Sequence, residues 1–269
     1  MGLVMISERT TSQRAFIGVM SLLFAASTAA TIYWCASMSS MHGMSMPGGW
    51  TMSMTWMLAP GQSGPRAAVS FLRMWVVMMV AMMLPSLMPM LMRYRKSVAG
   101  AEAARLAWLT ALVGFGYFAV WTAFGMAAFP AGVALAAAEM QLPALARAVP
   151  SAVGVVVLMA GALQFTAWKA HHLDCCRAPS GRGQCRTLPA DAATAWRHGL
   201  RLGLHCGYCC AGLTVVLLVI GVMDLRAMAV VAAAITAERL APGGERVARI
   251  IGGVAVAAGV FLIARAAGF

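Results

Sequence analysis

Two sets of soft donor atoms stand out in the sequence. The segment QFTAWKAHHLDCCRAP carries His171, His172, Asp174, Cys175 and Cys176, and GLRLGLHCGYCCAGL carries His205, Cys206, Cys209 and Cys210. On a helix, Cys206, Cys209 and Cys210 stand at i, i+3 and i+4, so their sulfurs share one face. Thiolate and imidazole are the donors of Cu(I), Zn and Fe–S sites. If a helix starts near residue 203, its N-terminus together with Arg197 and Arg201 favours the thiolate form. One buried cysteine is commonly a small apolar filler. Five at two separated segments are poorly explained that way and read as a metal or thiol-redox site. Cys185 and Cys35 have no evident partner.

The second set lies in residues 37–57, SMSSMHGMSMPGGWTMSMTWM, with Met38, Met41, Met44, Met46, Met52, Met54, Met57 and His42. Gly, Ser, Thr and Pro fill the gaps and leave no apolar periodicity. Flexible thioethers two or three residues apart suit Cu(I); the plainer reading is a floppy linker or an adaptable apolar surface. Met41, His42, Met44 and Met46 are the candidate ligands here. A second Met-rich stretch, FLRMWVVMMVAMMLPSLMPMLMR, sets Met74, Met78 and Met82 on one helical face with Met79 and Met83 beside it. It reads either as a thioether track or, more plainly, as apolar packing. Pro85 and Pro89 interrupt the backbone ladder in its later half.

The elements that hold these donors follow from composition. Of 269 residues, 61% are hydrophobic and 10% charged, with mean hydropathy +0.80. A soluble domain has about 25% charged residues, so this chain has too few to cover a water-facing surface. That excludes a soluble enzyme, a disordered chain and a secreted disulfide scaffold. An all-α polytopic membrane bundle in a single domain, 1–269, remains, with the lipid bilayer as its first partner. Spans of about 20 apolar residues are expected at 15–36, 71–92, 106–129, 150–168, 203–223, 226–240 (short) and 248–267. Residues 131–149, with Glu139, Pro143 and Arg147, read as an outer-surface segment.

The net charge of +12 orients these seven helices. With the N-terminus in and the C-terminus out, the inside segments hold fifteen Lys and Arg and the outside segments four, as the positive-inside rule requires. The Met-rich loop is then outside, and the basic, Cys-containing loop 169–202 inside. The charge is an orientation signal rather than a nucleic-acid surface, since no aromatic-plus-basic motif accompanies it. The first apolar stretch, from Ala15 to Trp34, exceeds a signal-peptide core and reads as a retained anchor. Gln164, Thr166 and Lys169, and Glu238 paired with Arg239 or Arg249, read as helix-end anchors or charge partners. No Ser–His–Asp triad, phosphate loop or carboxylate pair is present, so no catalytic residue is assigned.

As a set, WVVMMVAMMLPSLMPM, QFTAWKAHHLDCCRAP, GLRLGLHCGYCCAGL, GVMDL and ERLAPGGERVARIIG resemble a bacterial family of predicted metal-binding integral membrane proteins, a domain of unknown function. The resemblance runs from about Met38 to the end. In that family two Cys usually follow the Lys, three residues apart; His172 and Cys176 stand at the matching positions, with Cys175 added. The resemblance implies a membrane metal site but supplies no metal, substrate or direction.

The metal ligands expected are thus Cys206, Cys209, Cys210, Cys176, Cys175, His172 and His205 inside, and Met41, His42, Met44 and Met46 outside. The reading is a bacterial inner-membrane protein that binds a soft metal, copper(I) before zinc or iron, for transport, storage or delivery. A metallochaperone or a membrane metalloenzyme would be its partner. Two alternatives stay open: a thiol–disulfide redox protein and an assembly scaffold.

Overall fold

The computed structural model describes residues 2–39, 44–47, 49–52, 56, 63–98, 102–177 and 189–268. Along the chain run α1 (Gly2–Ser39), β1 (Met44–Met46), β2 (Trp50–Met52), α2 (Gly64–Ser97), α3 (Ala103–Gln141), α4 (Pro143–Leu163), α5 (Ala167–Arg177), α6 (Ala192–Ile220), α7 (Leu225–Leu240) and α8 (Gly244–Ala266). The fold is all-α apart from one small hairpin. Six helices, α1, α2, α3, α4, α6 and α8, are long and apolar enough to cross a membrane. α7, expected as the short sixth span at 226–240, has only 16 residues, about 24 Å against a hydrocarbon core of about 30 Å.

α3 and α6 lie side by side in the same direction. Ala195, Gly199, Gly203 and Gly207 recur every four residues on α6, the small-residue spacing that lets helix backbones approach closely. A Cβ on Gly199 would overlap the Val113 carbonyl, and one on Gly203 would press on Tyr117 and Val120. α4 and α8 form the most extensive helix pair and run antiparallel: Gly252 meets Gly161 and Gln164, Gly259 meets Leu158, and Gly154 meets Ile263. α1 and α2 are also antiparallel, with Arg95 of α2 donating to Ser12 Oγ at 2.9 Å and lying over the Phe16 ring.

Several expected boundaries move. Residues 131–149 are not a surface segment but helix, divided between the end of α3 and the start of α4 at Leu142 and Pro143. Pro130 lies inside α3, and its flanking apolar residues carry the helix through. At 39 residues α3 is roughly 58 Å long, about twice the hydrocarbon thickness. α4 ends at Leu163 rather than 168, and a short turn starts α5. α6 begins at Ala192, eleven residues before the expected start at 203. Asp191 caps it by accepting from the Thr194 amide at 2.8 Å, the role in which Asp satisfies an orphan N–H. That hydrogen bond holds the Asp191 carboxyl below its usual range. α2 runs unbroken through Pro85 and Pro89.

The Met-rich loop is not structureless. β1 and β2 pair antiparallel, Met44 opposite Met52 and Met46 opposite Trp50, around a turn in which Gly49 adopts φ 76°. Such a left-handed backbone suits glycine, which lacks a Cβ. Met46 and Met52 pack on Ala136 of α3 and Ala146 of α4, and Trp50 Nε1 donates to the Ala146 carbonyl at 2.9 Å.

Candidate metal centre

Cys206, Cys209 and Cys210 emerge on one side of α6, all buried, as their spacing requires. They sit about four turns inside the helix, not at its start, because the charged stretch Asp191–Arg201 is helix rather than loop. The helix N-terminus is therefore about 20 Å away and does not stabilise their thiolates, contrary to the expectation. The positive charge comes from side chains instead. Arg239, buried at the end of α7, donates from Nη2 to Cys176 Sγ at 3.4 Å and from Nη1 to Ser86 Oγ of α2 at 3.2 Å. Its field also reaches Cys206, Cys209 and Cys210.

The four sulfurs are held together from several sides. α5 brings Cys176 into hydrogen-bond contact with Cys209. The Cys206 and Cys210 sulfurs stand 4.0 Å apart, and Cys206 Sγ is 2.8 Å from Tyr117 Oη of α3. All are free thiols. Beneath them Lys169 Nζ donates to Glu238 Oε2 at 2.6 Å and to the Cys209 carbonyl at 2.7 Å, and Gln164 Nε2 donates to Glu238 Oε1 at 2.9 Å. Lys169 and Glu238 are almost fully buried. Burying such a pair is tolerable only when each charge is matched and hydrogen-bonded. These are the residues read from sequence as helix-end anchors. Glu238 takes Lys169, not Arg239 or Arg249; Arg249 pairs on the surface with Glu245.

His172 lies on α5 beside this cluster. Its ring contacts those of Trp168, His171, Tyr208 and, at 6.4 Å, His205. His205 is exposed on the rim, one helical turn before Cys209. Burial, then the neighbouring His171 and His205, keeps His172 below the usual histidine range, so its ring is neutral at pH 7. Its buried Nδ1 has no hydrogen-bond partner among the described residues. A neutral imidazole with a spare lone pair is a competent metal donor.

Among the described residues no three His, Cys, Asp or Glu side chains converge on one point as a finished metal cage. The donor set nonetheless fits a soft ion. A metal bonded to two sulfurs at about 2.3 Å, the Zn–S length, and subtending roughly 120° would hold them about 4 Å apart, the spacing seen for Cys206 and Cys210.

A family model described as a copper chaperone, PpoB2, matches residues 72–262. The chain belongs to this family. The copper chaperone match runs from within α2 to most of α8, and so takes in all four thiols, Lys169, His172, Glu238 and Arg239. It leaves out α1 with Cys35 and the Met-rich hairpin. No curated protein and no solved structure matches the chain.

The other expected ligands fall elsewhere. Met46 is buried and Met44 exposed on the hairpin; Met41 and His42 lie outside the described residues, as does the Cys175 side chain. Met78, Met79, Met82 and Met83 are buried in the same apolar cluster as the thiols. Sequence reading missed Arg239, Tyr117 and Gln164 as parts of the site. An Arg and a Glu adjacent in an apolar 16-residue helix were the available signal for the first of these, because ionisable groups at such depth are functional by default.

Proposed function

We propose that this chain is a membrane copper chaperone that takes up copper as Cu(I) and holds it on the thiols of α5 and α6. The observation that carries the reading is the gathering of Cys176, Cys206, Cys209 and Cys210 around one buried guanidinium. Lys169 and Glu238 cancel, so Arg239 leaves one positive charge in the cluster. A Cu(I) ion on two thiolates carries one net negative charge, and Arg239 neutralises it. A buried charge without such compensation costs several kcal/mol, on the order of 3–5 when one partner of a pair is missing. A divalent ion on three thiolates balances equally well; soft sulfur and the copper description of the family favour Cu(I).

Arg239 lies against Cys176 and Ser86 beside the thiols. With an ion on the thiolates, its positive charge would stay beside them. His172 stands at the rim as a donor for an ion entering or leaving. The Met-rich hairpin, on the outer side in this reading, collects the ion through Met44 and Met46 together with Met41 and His42. Delivery to a metalloenzyme partner is the step that a chaperone implies.

The test is metal analysis of the purified chain after anaerobic copper loading. Bound copper should fall by the equivalent that these thiols hold when Cys206, Cys209 and Cys210 are replaced by Ser. Copper unchanged by those replacements would remove the reading. The short Cys206–Cys210 separation also permits a redox role; reversible oxidation of that pair with no metal bound would favour it.

A further inference from the structure

Cys35, left without a partner by the sequence, meets one in the fold. Its sulfur lies 3.8 Å from Met223 Sδ, although 188 positions separate the two in the chain. Cys35 is almost fully buried near the end of α1, and Met223 lies in the turn between α6 and α7. Met38 follows Cys35 at i+3, on the same helical face. Asp224, whose carboxylate caps α7, is close enough to act on Cys35 electrostatically. A thiol and a thioether thus meet near a carboxylate at the hairpin end of the bundle, with Met38 one helical turn beyond Cys35. The sulfurs are spaced as two ligands of one ion would be, since two bonds of about 2.3 Å at a near-tetrahedral angle place them roughly 3.8 Å apart.

We infer that Cys35 and Met223, with Met38, form a second site for a soft monovalent cation of the Cu(I) or Ag(I) class. The proposal rests on the soft-metal reading above and adds a separate site to it. From Met223 to Cys210 is thirteen residues, about 20 Å along the helix direction. The buried face of α7 between them carries Met228, and α2 lays Met78, Met79, Met82 and Met83 into the same apolar cluster. Thioethers are the soft donors among these apolar residues. The site therefore serves as a way station between the hairpin and the inner thiols, and it uses a helix that the family match does not include.

Binding a cation here displaces the Cys35 proton to solvent, and the thiolate and the thioethers each donate an electron pair to the ion. No oxidation is involved. The experiment is an anaerobic titration of the full chain in detergent with Cu(I) against a competing chelator, repeated with Ag(I). Cys35→Ser should lose one equivalent while the equivalent removed by Cys206→Ser remains. Met223→Leu, which keeps the side-chain volume, should weaken that equivalent about tenfold or more, the effect of a perturbed coordination shell. Parent-like stoichiometry and affinity in both variants, with the inner equivalent present, would overturn this inference alone. A parent chain that binds neither ion would overturn it together with the proposed function. Should Cys35→Ser not fold, as judged by its helical signal, the Met223→Leu titration decides.

Discussion

The hairpin and the thiol cluster are both built from soft donors, yet from opposite materials. The hairpin has two strands of three residues, one hydrogen-bonded tryptophan anchoring it to α4, and Met44 left exposed. The cluster is buried at the meeting of α2, α3, α5, α6 and α7, and is braced by a buried ion pair and a guanidinium. The first is held by few contacts. The second resists movement, because each buried charge depends on its partners. In the proposed function, selectivity and retention fall to the cluster and access to the hairpin.

The contrast can be broken most severely at the ion pair. Glu238→Ala strands Lys169 in an apolar site and should cost about 3–5 kcal/mol, measured by chemical unfolding in detergent. The double change Lys169→Met with Glu238→Leu should recover most of that loss. A single change with no effect would mean that the pair is hydrated. Next comes the α3–α6 seam. Gly199→Ala drives a methyl into the Val113 carbonyl and should cost roughly 1–3 kcal/mol. It should also weaken copper binding, since Tyr117 and Cys206 meet across that seam; an unchanged melting point and affinity would contradict it. At the hairpin, Trp50→Phe removes the hydrogen bond to Ala146 and part of the indole's packing. It should cost about 1 kcal/mol, read as faster proteolysis near residues 44–52, with copper on the inner thiols unaffected. Smallest of all, Glu245→Gln breaks an exposed i,i+4 pair with Arg249 and should change stability by less than about 0.5 kcal/mol.

How much of this the sequence disclosed follows from range. The shared face of Cys206, Cys209 and Cys210 is a matter of helical period, and so was legible. The meeting of Cys176 with Cys209 was also legible, because two Cys-rich segments flanking one loop invite it. The start of α6 was not. Arg197 and Arg201 resembled a basic loop, while the actual markers, the Asp191 cap and the four-residue spacing of Ala195, Gly199, Gly203 and Gly207, say nothing until α3 is set against them. Lys169 with Glu238 and Cys35 with Met223 are joined by tertiary packing alone. Local pattern carries no trace of either. The hairpin escaped notice for another reason: Gly and Ser between the Met residues masked the alternation that a longer strand would display.

The account stands or falls on sulfur ligation by the four gathered cysteines. X-ray absorption of the copper-loaded chain addresses it most directly. In a Cys35→Ser background loaded with one copper equivalent we expect Cu(I) with a sulfur-dominated shell, and that sulfur signal should disappear when Cys206, Cys209 and Cys210 are also replaced by Ser. A shell of nitrogen and oxygen, or a sulfur shell that survives those replacements together with Cys176→Ser, would contradict it.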